Sequence, residues 1–265
     1  MIHFTELTTR DQLEAMQELE RVIWNMAPIP LHQTMTSIKH GGLIIGAYEG
    51  QQLIGFSYGF PGYQSGQSYL CSHMLGIHPD YRSQKIGEKL KLEQQKRALE
   101  KGYSHMVWTY DPLESRNGYL NLSKLQAVTF TYLENCYGEM QDGLNAGLPS
   151  DRFEVYWPTD AERTLVDSPA PKKLAEIEWQ DGLPVLCKIQ SVSNEASYHV
   201  PIPKDFQKIK QQNPDLAVDW RLQSRAIFQN LMKYDYCAVE LVQGEQYNHY
   251  VFIKKSHVLF GGNSL

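Results

Sequence analysis

Leu70-Cys71-Ser72-His73-Met74-Leu75-Gly76-Ile77-His78-Pro79-Asp80-Tyr81-Arg82-Ser83-Gln84-Lys85-Ile86-Gly87 decides how the chain is read. It reads as a strand, a tight polar loop and the start of a helix that runs to Lys101. Such a junction attracts anions. The first-turn N–H groups lack helical partners, and the helix dipole adds partial positive charge. Arg82 and Lys85 place two cations at that point. The stretch therefore points to a phosphorylated, nucleotide-like ligand held by the loop.

Upstream, residues 2–7 alternate as a short strand. Thr9 stands three residues before Gln12, a capping-box spacing, and Leu13, Met16, Leu19 and Ile23 follow at helical intervals, so a helix is predicted over 10–24. Residues 43–48 and 53–60 read as an antiparallel hairpin around Glu49-Gly50-Gln51. In the strand 69–77, simple alternation puts Tyr69, Cys71, His73, Leu75 and Ile77 on one face. Gly102 closes the helix 84–101, and a strand at 105–110 is expected to run parallel to 69–77. Downstream come one or two helical turns at 117–124 and paired strands at 128–133 and 153–157, with a long polar loop over 134–150. Residues 1–158 read as one domain. The proline-rich, charged stretch 159–184 reads as a linker or extended arm. Residues 185–265 read as a C-terminal α/β extension, with a helix over 216–233, a hairpin over 236–253 and a weakly structured last ten residues.

The chain has 265 residues, 42% hydrophobic and 21% charged, with a net charge of −5. That balance fits a globular protein and argues against a nucleic-acid partner, which asks for a basic stripe. No positively charged start is followed by an apolar run, so no signal peptide is expected. No apolar run reaches membrane-spanning length. Cys71, Cys136, Cys187 and Cys237 are too scattered for a zinc site and are expected to be buried, reduced thiols, which places the protein in the cytoplasm.

The order of elements, together with Ile77-His78-Pro79-Asp80-Tyr81-Arg82 and the loop Arg82 to Gly87, resembles the GNAT acyltransferase superfamily over residues 2–157. Its pyrophosphate-binding turn has the form Arg/Gln-x-x-Gly-x-Gly/Ala. Arg82 and Gly87 match the first and last positions, while Lys85 stands in place of the middle glycine. The segments Ser72-His73-Met74, Trp108 to Leu113, Asn121 to Leu125, Tyr137-Gly138 and Asn145 to Phe153 are similar to a bacterial group of long GNAT-like proteins with an extra C-terminal region. The resemblance implies an α/β fold, a GNAT-like mixed central sheet flanked by helices, with a C-terminal α/β extension.

The resemblance also implies acetyl-CoA or another acyl-CoA as cofactor, lying between splayed strands 69–77 and 105–110. Backbone groups near Leu75 and Ile77 would pair with the pantetheine amides. The N–H groups of Arg82, Ser83, Gln84, Lys85, Ile86 and Gly87 would cradle the pyrophosphate, with Asn117 and Lys124 as further cofactor contacts. Transfer in the family is direct and needs a base and an acid. His73 is the first choice for base, against a plain hydrogen-bonded histidine of a central strand; Glu20 is a weaker option, read as surface. The usual tyrosine acid has no clear counterpart, which leaves Tyr119 and Asn121. Cys136 invites a covalent route but has no histidine neighbour in sequence.

Candidate acceptor contacts are Trp24, His32, Tyr137, Asn145 and Arg152, with Arg221 and Arg225. Arg152 either pairs with Asp151 or offers a free fork to a carboxylate. Arg221 and Arg225 lie four apart on one helix face, so they await an anion or neighbours such as Asp215, Asp219 and Glu240. No metal is expected. The partner is a small-molecule amine, with no nucleic acid and no membrane, and a homodimer is left open. The leading activity is acyl transfer to the amine of a small metabolite, an amino acid among the options. A succinyl-CoA-dependent amino-acid N-succinyltransferase and a non-catalytic acyl-CoA-binding or regulatory protein stand beside it.

Overall fold

The structure, a computed structural model, describes residues 1–138, 147–166 and 170–265; Asn145 lies outside the described residues. The chain forms two compact units. One is Met1–Trp108 with Trp157–Asp160, the other Thr109–Tyr156 with Ala161–Leu265. In this grouping residues 109–156 go with Ala161–Leu265, whereas the sequence reading divided the chain at 158 and 159.

The first unit contains β1 (Ile2–Glu6), α1 (Arg10–Trp24), α2 (Leu31–Lys39), β2 (Leu43–Glu49), β3 (Gln52–Gln64), β4 (Gln67–Ile77), α3 (Ile86–Glu100) and the start of β5 (His105–Tyr110). The strands lie in sequence order, β1 to β5. β1 to β4 pair antiparallel, and β4 pairs with β5 in parallel, as expected. The capping box at Thr9 and Gln12 forms, and Asn25 ends α1 in a left-handed conformation. One sheet face buries Leu7, Leu13, Met16, Leu19, Phe56 and Tyr58. α3 covers the other, where a Cβ on Gly55 would meet Leu90.

β4 carries a bulge. Tyr58 pairs with Met74 and Gly59 with Ser72, so His73 is the extra residue. The predicted single face is corrected accordingly. His73 turns to Tyr58 and Phe60, and Met74 packs on the same cluster. Ser72 bonds α3 on the opposite face. Leu75 also lies on the α3 side, 3.5 Å from where a Cβ on Gly87 would stand. β4 and β5 pair only at Leu70–Met106 and Cys71–Val107 among the described residues.

The second unit begins with α4 (Ser115–Gly118), which runs into a π-helical turn, Tyr119–Lys124. β6 (Val128–Leu133), β7 (Arg152–Pro158), β8 (Arg163–Leu165), β9 (Lys172–Lys173), β10 (Glu176–Gln180), β11 (Leu183–Cys187) and β12 (Ser197–Ile202) follow. Then come α5 (Phe206–Gln212), α6 (Pro214–Lys233), β13 (Tyr236–Val242), β14 (Asn248–Lys254), β15 (Val258–Phe260) and β16 (Asn263–Ser264). Its main sheet has the order β7-β6-β13-β14-β12-β9. The arm expected at 159–184 is corrected, since it supplies β8, β9, β10 and the start of β11. Asp181 and Gly182, both at positive φ, turn β10 into β11. The weakly structured tail is corrected too, for β15 pairs with both β8 and β16. α6 starts with Pro214 after an Asn213 cap, and Trp220 donates to the Pro184 carbonyl at 2.8 Å. Phe153, Phe228, Tyr250 and Phe252 form an edge-to-face aromatic core.

Candidate active site

The loop after β4 is built around backbone geometry. His78 accepts the Asp80 N–H on its Nδ1 at 3.3 Å, which starts a 3-10 turn over Pro79–Tyr81. The Tyr81 hydroxyl donates to Glu49 at 2.8 Å. Ser83 and Lys85 then take φ of 65° and 60°, left-handed values that L-residues avoid at about 1–2 kcal/mol each. Lys85 is the N-cap of α3, and no side chain caps the helix. The first-turn N–H groups are therefore left for a ligand. Arg82, Ser83, Gln84 and Lys85 are exposed and Ile86 is buried. Gly87 has an open side, since a Cβ there would touch only Leu75 within 4 Å.

His73 is exposed, but the rings of Tyr58 and Phe60 flank it at 6.1 and 5.5 Å. Desolvation lowers its pKa from 6.5, so the imidazole is neutral at pH 7, the form a base requires. Glu20 is not a surface residue. It is 3% exposed, accepts the Ile29 N–H at 2.9 Å on Oε2, and leaves Oε1 buried without a partner. Burial raises its pKa above 4.5. With Gln17, which donates to the Ile29 carbonyl at 2.7 Å, it anchors the chain between α1 and α2. Trp24 stands edge-on to Phe56, and His32 is exposed on α2.

α3 also carries Lys91 into the unit. Its Nζ donates to Ser72 Oγ at 2.8 Å and lies 3.4 Å from the centre of the Trp108 ring. Burial pulls its pKa well below 10.5. Sequence reading missed it, although Ile86, Leu90, Gln94 and Ala98 mark the buried stripe that it borders.

In the second unit, Asn117 is exposed, Tyr119 is half-buried with Lys124 Nζ 5.2 Å from its ring, and Asn121 is buried. Tyr137 is exposed, and its hydroxyl is 2.7 Å from Thr109 Oγ1. Arg152 does not offer a free fork. It is 6% exposed, donates to the Asp151 carbonyl at 2.9 Å, approaches Asp111 at 3.8 Å and lies over Tyr137. Arg221 and Arg225 do not await an anion either. Arg221 grips Asp111 with both terminal nitrogens. Arg225 holds Asp151 at 2.8 and 2.9 Å and also Glu134. Their neutralising partners are these three acids, in place of Asp215, Asp219 and Glu240.

None of the four cysteines is in a disulfide, and Cys237 alone is buried, its thiol pushed up to about 12. Cys136 is exposed, so the uniformly buried reading is corrected. Among the described residues no group of three or more His, Cys, Asp or Glu is placed to hold a metal, and no helix is long and apolar enough to cross a membrane.

α3 thus starts without a side-chain cap, after a bulged β4 that pairs in parallel with the start of β5. Residues 9–119 match the model of the acetyltransferase (GNAT) family. Solved structures similar to the chain include the ribosomal-protein-S18-alanine N-acetyltransferase from Escherichia coli, at 15% identity over 60% of this chain and 94% of that chain, with a TM-score of 0.47. An N-acetyltransferase from Staphylococcus aureus Mu50 has 15% identity over 60% and 99%, with a TM-score of 0.48. The yncA protein from Salmonella typhimurium, solved with its cofactor acetyl-CoA, has 14% identity over 60% and 94%, with a TM-score of 0.47. A search of curated proteins gave no match.

Proposed function

We propose that the protein is an acyl-CoA-dependent N-acyltransferase. It moves an acetyl or other acyl group directly to the amine of a small metabolite, with amino acids as the leading class, in the cytoplasm. The carrying observation is the loop. Two non-glycine residues, Ser83 and Lys85, are held left-handed where they open the backbone N–H groups before an uncapped helix. Such conformations persist where function requires them, and they make concavities for phosphate oxygens. Arg82 and Lys85 add charge, and Gly87 leaves the side of the cradle open. The β4–β5 pairing ends at Cys71–Val107 among the described residues, and an extended amide arm would use the β4 edge groups beyond it. His73 serves as base, and Trp24 and His32 border the acceptor. A thioester carried by the bound cofactor supplies the activated acyl group.

Calorimetry with acetyl-CoA and succinyl-CoA, followed by thiol release against a panel of amines and amino acids, tests this reading. Binding with release in one amine class is the expected outcome, and the preferred thioester decides between acetyl and succinyl transfer. Binding without release across the panel would make the protein a cofactor-binding regulator. Absence of binding to either thioester and to free coenzyme A would overturn the reading.

A further inference from the structure

The chemistry proposed above leaves one buried titratable group without a task. Lys91 is 2% exposed and belongs to a polar chain inside an otherwise apolar layer. Ser57 Oγ and Ser72 Oγ both donate to Gln94 Oε1, at 2.7 and 2.6 Å, and Lys91 Nζ donates to Ser72 Oγ. Gln94 Nε2 is buried without a partner. The only cation–ring contact of Lys91 is with Trp108, and no carboxylate lies within ion-pair distance of it among the described residues. A buried ammonium with no counter-charge is costly. It is retained to advantage where an anion arrives during the working cycle.

Its location names that anion. The last β4–β5 rung is Cys71–Val107, and Ser72 and Trp108 are the next residue on each strand. Lys91 Nζ contacts both, so it stands one residue past the last paired rung. From Ser72 to Ile77 the strand runs about 16 Å toward the phosphate-holding loop. A cofactor whose diphosphate lies at that loop reaches the Lys91 end with its sulfur.

We propose that Lys91 is the proton donor to the departing coenzyme A sulfur, an assignment that rests on the acyltransferase reading. The acceptor nitrogen bonds the thioester carbonyl carbon and gives its proton to His73. The carbon–sulfur bond breaks with its electron pair going to sulfur, and Lys91 gives that sulfur an Nζ proton. His73 then passes its proton to water, and Lys91 regains one. Burial makes the ammonium a stronger acid than a surface lysine. Cys71 is the titratable group whose charge acts on it from β4, which also carries Tyr69 and His73. This donor would fill the place for which Tyr119 and Asn121 were candidates.

The test is calorimetry of the full chain at pH 8 with coenzyme A and with desulfo-coenzyme A. Wild type is expected to prefer the thiol by about tenfold, a charge-assisted hydrogen bond's worth. Lys91→Met should bind both within about twofold while keeping wild-type affinity for the desulfo compound, and its kcat should fall with KM for acyl-CoA little changed. Cys71→Ser should keep the preference. Equal binding of the two ligands by wild type overturns the assignment, whether or not any variant folds. So does a Lys91→Met protein that keeps the preference or loses both affinities together. If wild type binds neither ligand, the acyltransferase reading itself fails.

Discussion

Lys91 in the first unit and Arg221 in the second are buried to the same degree, each 2% exposed, yet they are satisfied in opposite ways. Arg221 meets the Asp111 carboxylate through a two-pronged grip, and one turn away Arg225 does the same with Asp151. Lys91 meets a hydroxyl and an aromatic face. A buried charge matched by its opposite is part of the scaffold, because removing either partner strands the other. A buried charge that meets only neutral groups is held in readiness, and its removal relieves as much as it disturbs.

The sharpest way to break this contrast is to make the same substitution at both sites. Arg221→Met should lower unfolding free energy by about 3–5 kcal/mol, because Asp111 loses its two-pronged partner and keeps only the more distant Arg152. Lys91→Met should change it by less than about 1 kcal/mol at pH 7 in urea titrations. The pH dependence sharpens the point. Lys91 has a folded-state pKa below 10.5, so between the two values the unfolded chain binds more protons. Wild-type stability therefore rises with pH across that window and falls as pH drops through it, whereas Lys91→Met lacks this component. Equal losses at the two sites would erase the distinction.

Ser72→Ala comes next in size. It deprives Lys91 of the Ser72 hydroxyl, its oxygen partner among the described residues, and should cost about 1–3 kcal/mol by chemical denaturation. Glu20 offers a smaller, acid-side counterpart. Its folded pKa is raised, so the stabilisation is present at low pH and is lost as pH rises through the folded value. Glu20→Gln should remove that slope, a change of about 1 kcal/mol between pH 4 and 7; an unchanged slope would assign it to another group. Smallest is Lys85→Gly, expected to gain about 0.5–1 kcal/mol by releasing a left-handed residue. Weaker acetyl-CoA binding in the same variant would show that the lysine charge serves the loop.

Much of the first unit was legible because its signals are local. The Thr9–Gln12 capping box, the Glu49-Gly50-Gln51 turn and the Arg82–Gly87 loop each lie within a few residues. Glu20 was legible in principle. It continues the Leu13–Met16 stripe one turn on, where a carboxylate has to be buried. The His73 bulge was not, since an extra residue leaves no mark in an alternating pattern until its pairing partner is known. The arginine pairs were out of reach for another reason. Asp111 and Arg221 are 110 positions apart, so nearer acids looked like adequate partners. The strands β8 to β11 were hidden by prolines and charges that resemble a linker, although one hairpin turn at Asp181-Gly182 suffices to pair them.

The extra residue in β4 sets the parity of that strand. Adjacent positions before it already alternate between the two layers of helices, but across it His73 and Met74 face the same way. One strand can thus offer an imidazole to the α1 side and a hydroxyl anchor to the α3 side within two residues, then resume its rhythm out of step. Deleting His73 would restore plain alternation, with Met74 and Leu75 keeping their partners and faces, and would remove only the imidazole from the α1 side. The insertion thus adds a side chain to one layer without disturbing the register of the rest.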